Sequence, residues 1–144
     1  MDKKVLSQPE SIAWLSEEGE PVHGLLYLPR PKEEAPPGKP PLVVSVHGGP
    51  TGQSTMKYSP RTQFLTTRGY AVLELNYRGS SGYGRDYRDR LRGNWGLFDA
   101  DDAVSGAHHL VERGLVDGDK LVIMGGSAGG YTVLQALIRY PGTF

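Results

Sequence analysis

A chain of 144 residues can bury a core without disulfides or metals to hold it, and its sixteen basic residues balance sixteen acidic ones, which leaves no net pull toward nucleic acid or an anionic membrane. The absence of cysteine excludes a disulfide scaffold, a thiolate nucleophile and a Cys-based zinc site. Residues 1–15 carry no apolar run long enough for a signal-peptide core, and no stretch is a transmembrane span, so a cytoplasmic protein without membrane partners is expected.

Residues 11–15 and 22–28 are short β-compatible stretches around the polar turn Ser16-Glu17-Glu18-Gly19-Glu20, and read as a β-hairpin. Residues 29–41 hold six of the eleven prolines, so they suit neither ladder strand nor helix and are expected as a Pro-rich surface loop. Leu42-Val43-Val44-Ser45-Val46 is a near-continuous apolar run, the pattern of a strand buried on both faces, and residues 70–75 and 120–124 repeat it. Ser59 is a helix cap with Pro60 at the first position, Phe64 and Leu65 within, and Gly69 as the stop. Phe98, Val104, Ala107, Leu110, Val111 and Leu115 form a stripe of helical period, with Asp99, Asp101 and Asp102 in the first turns where the helix dipole favours negative charge. A last helix over 131–140 carries Val133, Leu134, Leu137 and Ile138 on one side and closes at Pro141-Gly142. Alternation of strand and helix from residue 42 onward predicts an α/β fold with parallel strands and right-handed crossover helices, preceded by the antiparallel hairpin.

Gly125-Gly126-Ser127-Ala128-Gly129 satisfies G-x-S-x-G directly between an apolar strand and an amphipathic helix. So tight a turn needs residues without bulk on either side of the serine, which Gly125 and Gly129 supply, and it lifts the Ser127 hydroxyl into the open. The helix that follows aims free N–H groups at the same spot, so the Ala128 N–H can meet negative charge developing on a carbonyl oxygen. A phosphate-binding loop fails on residues, because no lysine follows Lys120 and G-x-G-x-x-G does not fit 125–130. His47-Gly48-Gly49-Pro50 follows another strand end, where its glycines let backbone N–H groups approach a ligand, as the second half of an oxyanion hole would.

With both motifs placed, the chain resembles the catalytic domain of the prolyl oligopeptidase family of serine peptidases, most closely its acylaminoacyl-peptidase and dipeptidyl-peptidase-like branch. The resemblance rests on His47-Gly48-Gly49-Pro50, on Asn76-Tyr77-Arg78-Gly79-Ser80-Ser81-Gly82-Tyr83-Gly84, on Trp95-Gly96 with Asp99 and Asp102, and on residues 125–131, with Leu97 where the family commonly has glycine. It implies that Ser127 is the acylated nucleophile, that Gly49 and Ala128 donate to the oxyanion, and that Tyr58 either adds a hydroxyl to that hole or packs beside the helix at 60–68. For Arg78 it leaves a structural salt bridge as the favoured reading over substrate contact. No metal or organic cofactor is implied.

The triad order of this fold is serine, acid, histidine, yet none of the seventeen residues after Ser127 is Asp, Glu or His. His23, His47, His108 and His109 all precede it; His47 is read as bracing its loop, and His108 and His109 as ordinary helix positions, one half-buried and one solvated. The chain is therefore expected to be the N-terminal half of an α/β-hydrolase catalytic domain, lacking the C-terminal strands and any preceding β-propeller, and inactive alone. Residues 120–124 would then form a bare apolar edge that pairs with the missing half of the domain or with a second copy. Hydrolysis of short acylaminoacyl, dipeptidyl or oligopeptidyl substrates is the favoured function; a carboxylesterase and a non-catalytic assembly module are the alternatives.

Overall fold

The structure, a computed structural model, describes residues 5–30 and 37–144. Its sheet comprises β1 (Glu10–Leu15), β2 (Pro21–Tyr27), β3 (Leu42–Val46), β4 (Ala71–Asn76) and β5 (Leu121–Gly125), in the spatial order β1-β2-β4-β3-β5. β1 and β2 form the expected antiparallel hairpin, with Trp14 opposite Val22, and β2 runs on antiparallel to β4. β3 is flanked by β4 and β5, both parallel to it, and all five of its residues are buried, as its apolar run predicted. Of the Pro-rich segment, residues 31–36 lie outside the described residues; its described ends form neither helix nor strand.

The crossovers are α1 (Pro60–Thr66), then α2 (Arg85–Asp89) and α3 (Phe98–Glu112), with α4 (Ala128–Arg139) following β5. The Ser59 hydroxyl accepts from the Thr62 N–H, and Pro60 takes the position where its missing N–H costs nothing. Polar side chains carry the inner face of α1: Thr62 donates to Glu74 at 2.8 Å, and the Gln63 amide exchanges two 2.9 Å bonds with the Ser7 backbone. Phe64 instead lies outward beneath the Arg68 guanidinium, 3.5 Å from its ring centroid. α2 is a short element that no sequence period announced.

Two sequence expectations need correction. β5 is not buried on both faces: among the described residues it pairs only with β3, and Val122 is 47% exposed. The last helix begins at Ala128, not Tyr131. Its inward positions are Gly129, Thr132 and Ala136, small enough for close packing, while Leu134 and Ile138 are 60% and 71% exposed. Asp99 lies in the first turn of α3 as expected, and both it and Asp102 are buried. No helix among the described residues is long and apolar enough to cross a membrane.

Asp102 is buried because it receives Arg78, also buried. The guanidinium donates to Asp102 Oδ1 from Nη2 at 2.7 Å and from Nε at 3.0 Å, the Arg78 backbone N–H donates to Oδ2 at 2.8 Å, and the Phe98 ring lies 4.1 Å from Cζ. Its other nitrogen reaches Glu18 at 3.0 Å and Glu20 at 3.1 Å in the hairpin turn, so one side chain ties β1–β2, the end of β4 and α3 together. Arg78 is thus the structural ion pair expected of it. Burial pushes the Asp102 carboxyl up to about 6 against the downward pull of Arg78, while the guanidinium, lowered by burial but raised further by Asp102, stays charged. Removing one member strands the other's charge: Asp102→Ala is expected to cost about 3–5 kcal/mol, whereas Glu18→Gln, at the exposed end, should cost under about 1 kcal/mol, both read from urea unfolding by tryptophan fluorescence.

Candidate active site

β3 and β5 end side by side, and the loops leaving them meet. Ser127 lies between β5 and α4 with φ 54° and ψ −124°, the only non-glycine residue of positive φ among those described. For a residue with a Cβ, such a conformation costs on the order of 1–3 kcal/mol and persists only where its surroundings fix it. Here they do. The first turn of α4 is pressed onto the end of β3 so closely that a Cβ on Gly129 would collide with the Val46 carbonyl, and one on Gly125 would come within 2.7 Å of the Gly129 backbone. Ser127 itself is exposed, and Ala128, buried, is the first residue of α4, where backbone N–H groups have no acceptor one turn back.

The 47–50 loop lies against this turn. A Cβ built on Gly48 would stand 3.5 Å from the Ser127 Cβ and 4.0 Å from the Ala128 nitrogen. Gly49 has φ 131°, and a Cβ there would meet the Thr51 nitrogen at 2.6 Å, so only glycine suits the position. His47 braces the loop, as expected: its Nδ1 lies 2.7 Å from the Gly48 carbonyl oxygen, its Nε2 2.7 Å from the Ser80 hydroxyl, and its ring stacks on Tyr77 at 4.4 Å. A carbonyl can only accept, so Nδ1 carries the proton and Nε2 accepts from Ser80. The Tyr77 hydroxyl donates to the Pro50 carbonyl at 2.9 Å, and burial raises its pKa.

Beneath the turn, Asp99 joins α3 to α4. Its Oδ2 accepts from the Thr132 hydroxyl at 2.5 Å and its Oδ1 from the Gly96 N–H at 2.6 Å; burial pushes its pKa up while these bonds pull it down. Thr132 is one turn into α4, so this bond holds the helix that begins at Ser127. Sequence reasoning missed this role, and that of Ser80. The signal was the placement of an aspartate three residues after Gly96 on a stripe of otherwise apolar positions. Trp95 meets Tyr131 edge-on at 5.1 Å from the preceding loop.

The remaining sequence candidates lie apart from this cluster. Tyr58 is 58% exposed and lines a hollow with Val5, Pro60 and Phe64 at α1. His109 stacks on Trp14 at 6.0 Å, half-buried, and His108 is exposed beside it, as expected of the pair. His23 stacks on Tyr83 at 4.2 Å, under the hairpin.

Residues 56–144, more than half of the chain, match the prolyl oligopeptidase family. The chain belongs to that family. The dipeptidyl aminopeptidase BIII of Pseudoxanthomonas mexicana is 38% identical over 140 residues, covering 94% of this chain and 20% of its own length. Acylamino-acid-releasing enzyme 1 of Oryza sativa subsp. japonica is 38% identical over 104 residues, 72% of this chain and 13% of its own. A Mycobacterium tuberculosis puromycin-hydrolyzing peptidase superposes with a TM-score of 0.91 at 44% identity, over 95% of this chain and 21% of that one. The α/β-hydrolase architecture expected from the motifs is thereby borne out, and the chain spans about a fifth of the length of the relatives it matches.

Two measurements check the geometry. Gly129→Ala must move the α4 turn or β3 and is expected to destabilise by about 1–3 kcal/mol, whereas Gly126→Ala, which meets nothing within 4 Å, should change stability by less than about 0.5 kcal/mol in the same unfolding assay. Burial lowers the pKa of His47 below its ordinary 6.5. The unfolded chain therefore takes up a proton that the folded chain refuses as pH falls below 6.5, so the stability His47 contributes is present above that pH and lost as pH falls through the folded value. Ring carbon-bound proton shifts in NMR should keep His47 neutral at pH 6.5.

Proposed function

We propose that Ser127 is the nucleophile of a serine peptidase acting on short peptides. The observation that carries the reading is the strained, exposed Ser127 at a strand–helix turn, with the Gly48-Gly49 backbone packed against it. In this reading Ser127 Oγ attacks the scissile carbonyl carbon and loses its proton to a general base. The Ala128 and Gly49 N–H groups hold the resulting oxyanion. The C–N bond then breaks, the leaving amine takes the proton, and water repeats the sequence on the acyl-serine to release the acid and free Ser127. Relatives named for dipeptidyl aminopeptidase, acylamino-acid-releasing and puromycin-hydrolyzing activities support short acyl-amide substrates. We assign Tyr58 to packing beside α1 rather than to the oxyanion hole, because its hollow is formed with α1 and Val5.

The base, in this proposal, comes from outside these 144 residues. Both ring nitrogens of His47 are engaged, His23 is stacked on Tyr83 and meets Tyr87 edge-on, and His108 and His109 line a hollow with Trp14 at β1, at the opposite edge of the sheet from β5. The partner we propose for the unpaired edge of β5 and the apolar outer face of α4 is the remainder of the catalytic domain, with self-association through the same edge as the competing occupant. A fluorophosphonate tests both. The chain alone should stay unlabelled, and mixing with a separately made C-terminal half should give an adduct on Ser127 that Ser127→Ala abolishes. Strong labelling of the chain alone, lost on His47→Ala, would overturn the assignment of the base.

A further inference from the structure

Next to the turn at Ser127 lies a hollow of about 490 Å³ between the 47–50 loop and the segment that follows α2. Its apolar wall is Pro50, Leu91 and Trp95, and its polar wall is Thr51, Arg88 and Arg92. Both walls adjoin elements that pack on the Ser127 turn. Pro50 directly follows Gly49, and Trp95, 49% exposed, packs edge-on against Tyr131 in the first turn of α4.

The charge here is unbalanced. Asp89 is the only carboxylate lining the hollow, and its Oδ1 is shared by both guanidinium groups, 3.2 Å from Arg88 Nε and 3.6 Å from Arg92. Two cations facing one anion leave a surplus positive charge. The side chains of Arg88 and Arg92 are 41% and 80% exposed, so most of their donors are open, in contrast to Arg78, which is saturated in the interior, and Arg90, which is paired with Glu20. Guanidinium forks beside an indole and a proline present a matched pair of surfaces for an apolar side chain carrying a carboxylate within reach.

We propose that this hollow is a subsite that binds a carboxylate of a short peptide through Arg88 and Arg92 while Trp95, Leu91 and Pro50 take the neighbouring apolar side chain. The proposal rests on Ser127 being the nucleophile, which makes a hollow between the oxyanion loop and Trp95 a place for substrate. The carboxylate has two sources, the C-terminus of the peptide on the leaving side of the scissile bond or an acidic side chain. In either case, selectivity for the acid over its amide belongs to residues 88–95 of this chain.

The test is equilibrium binding to the chain carrying Ser127→Ala, which removes turnover and so reads the subsite whatever the outcome of fluorophosphonate labelling. The probes are Ala-Phe, its C-terminal amide, and Glu-Phe-amide. At least one carboxylate probe is expected to bind about tenfold more tightly than Ala-Phe-amide, and Arg88→Gln with Arg92→Gln should bring the ratio close to one. Preference for Ala-Phe assigns the site to the peptide terminus, and preference for Glu-Phe-amide to an acidic side chain. Equal binding of all three, or a preference that survives both substitutions, overturns the proposal. Both arginines are at the surface, so the double variant folds, and Asp89→Asn provides an independent reading by raising the carboxylate preference.

Discussion

The whole site depends on how closely the first turn of α4 can approach the end of β3. Gly129 sits where a single methyl group would strike the Val46 carbonyl, and Gly125 where one would strike the Gly129 backbone. That contact makes the turn from β5 into α4 sharp enough to hold Ser127 at positive φ, a conformation it would not keep in a looser loop. The same approach brings Gly48 against Ser127, so the 47–50 loop and the serine turn are two sides of one backbone contact rather than two separate motifs. A displacement of a few tenths of an ångström there would move Ser127 and both candidate oxyanion donors together.

Such a contact holds only if the elements behind it are fixed, and two buried carboxylates fix them. Asp99 clasps Thr132 and so fixes α4 to α3; Asp102 clasps Arg78 and so fixes α3 to the end of β4 and to the hairpin. Both lie on α3, three residues apart, on one face. Burial disfavours both charges, and each is retained because its oxygens accept hydrogen bonds, from the Thr132 hydroxyl and the Gly96 N–H for Asp99 and from the Arg78 guanidinium and backbone N–H for Asp102. These interactions orient elements more than they add stability, since an apolar replacement of similar shape would avoid the desolvation cost altogether.

The strands, the hairpin, the Ser59 cap and the serine turn were legible because each depends on local rules: alternation, apolar runs, capping chemistry and small residues at a tight turn. The packing of α4 was not. Its apolar residues share one side as the period predicts, but the period does not say which side packs inward: Leu134 and Ile138 are exposed, and the inner face is made of the small residues Gly129, Thr132 and Ala136. The buried partners of Asp99 and Asp102 were not legible either. Near a helix N-terminus an acidic residue satisfies the dipole rule whether it is solvated or buried, and the two are distinguished only by partners remote in the chain, Thr132 for Asp99 and Arg78 for Asp102. His47 was legible as a brace, but its partner Ser80 was not, because the pair is made by the register of β3 against β4.

The division of labour within the site follows from these constraints. In the proposed site, presentation of Ser127 and of the candidate oxyanion donors is a backbone matter, set by glycines, a strand register and the buried clasps, all within this chain. Activation is a side-chain matter, since it needs an imidazole whose ring nitrogen is free to take a proton. The imidazole that the fold does bring beside the turn, His47, has both nitrogens engaged and is lowered by burial, so it cannot brace the loop and serve as base at once. Releasing it for catalysis would free the loop that carries Gly49. In the proposed mechanism holding and activating are therefore separate tasks, and a base supplied by another segment would leave the 47–50 loop braced while the proton moves.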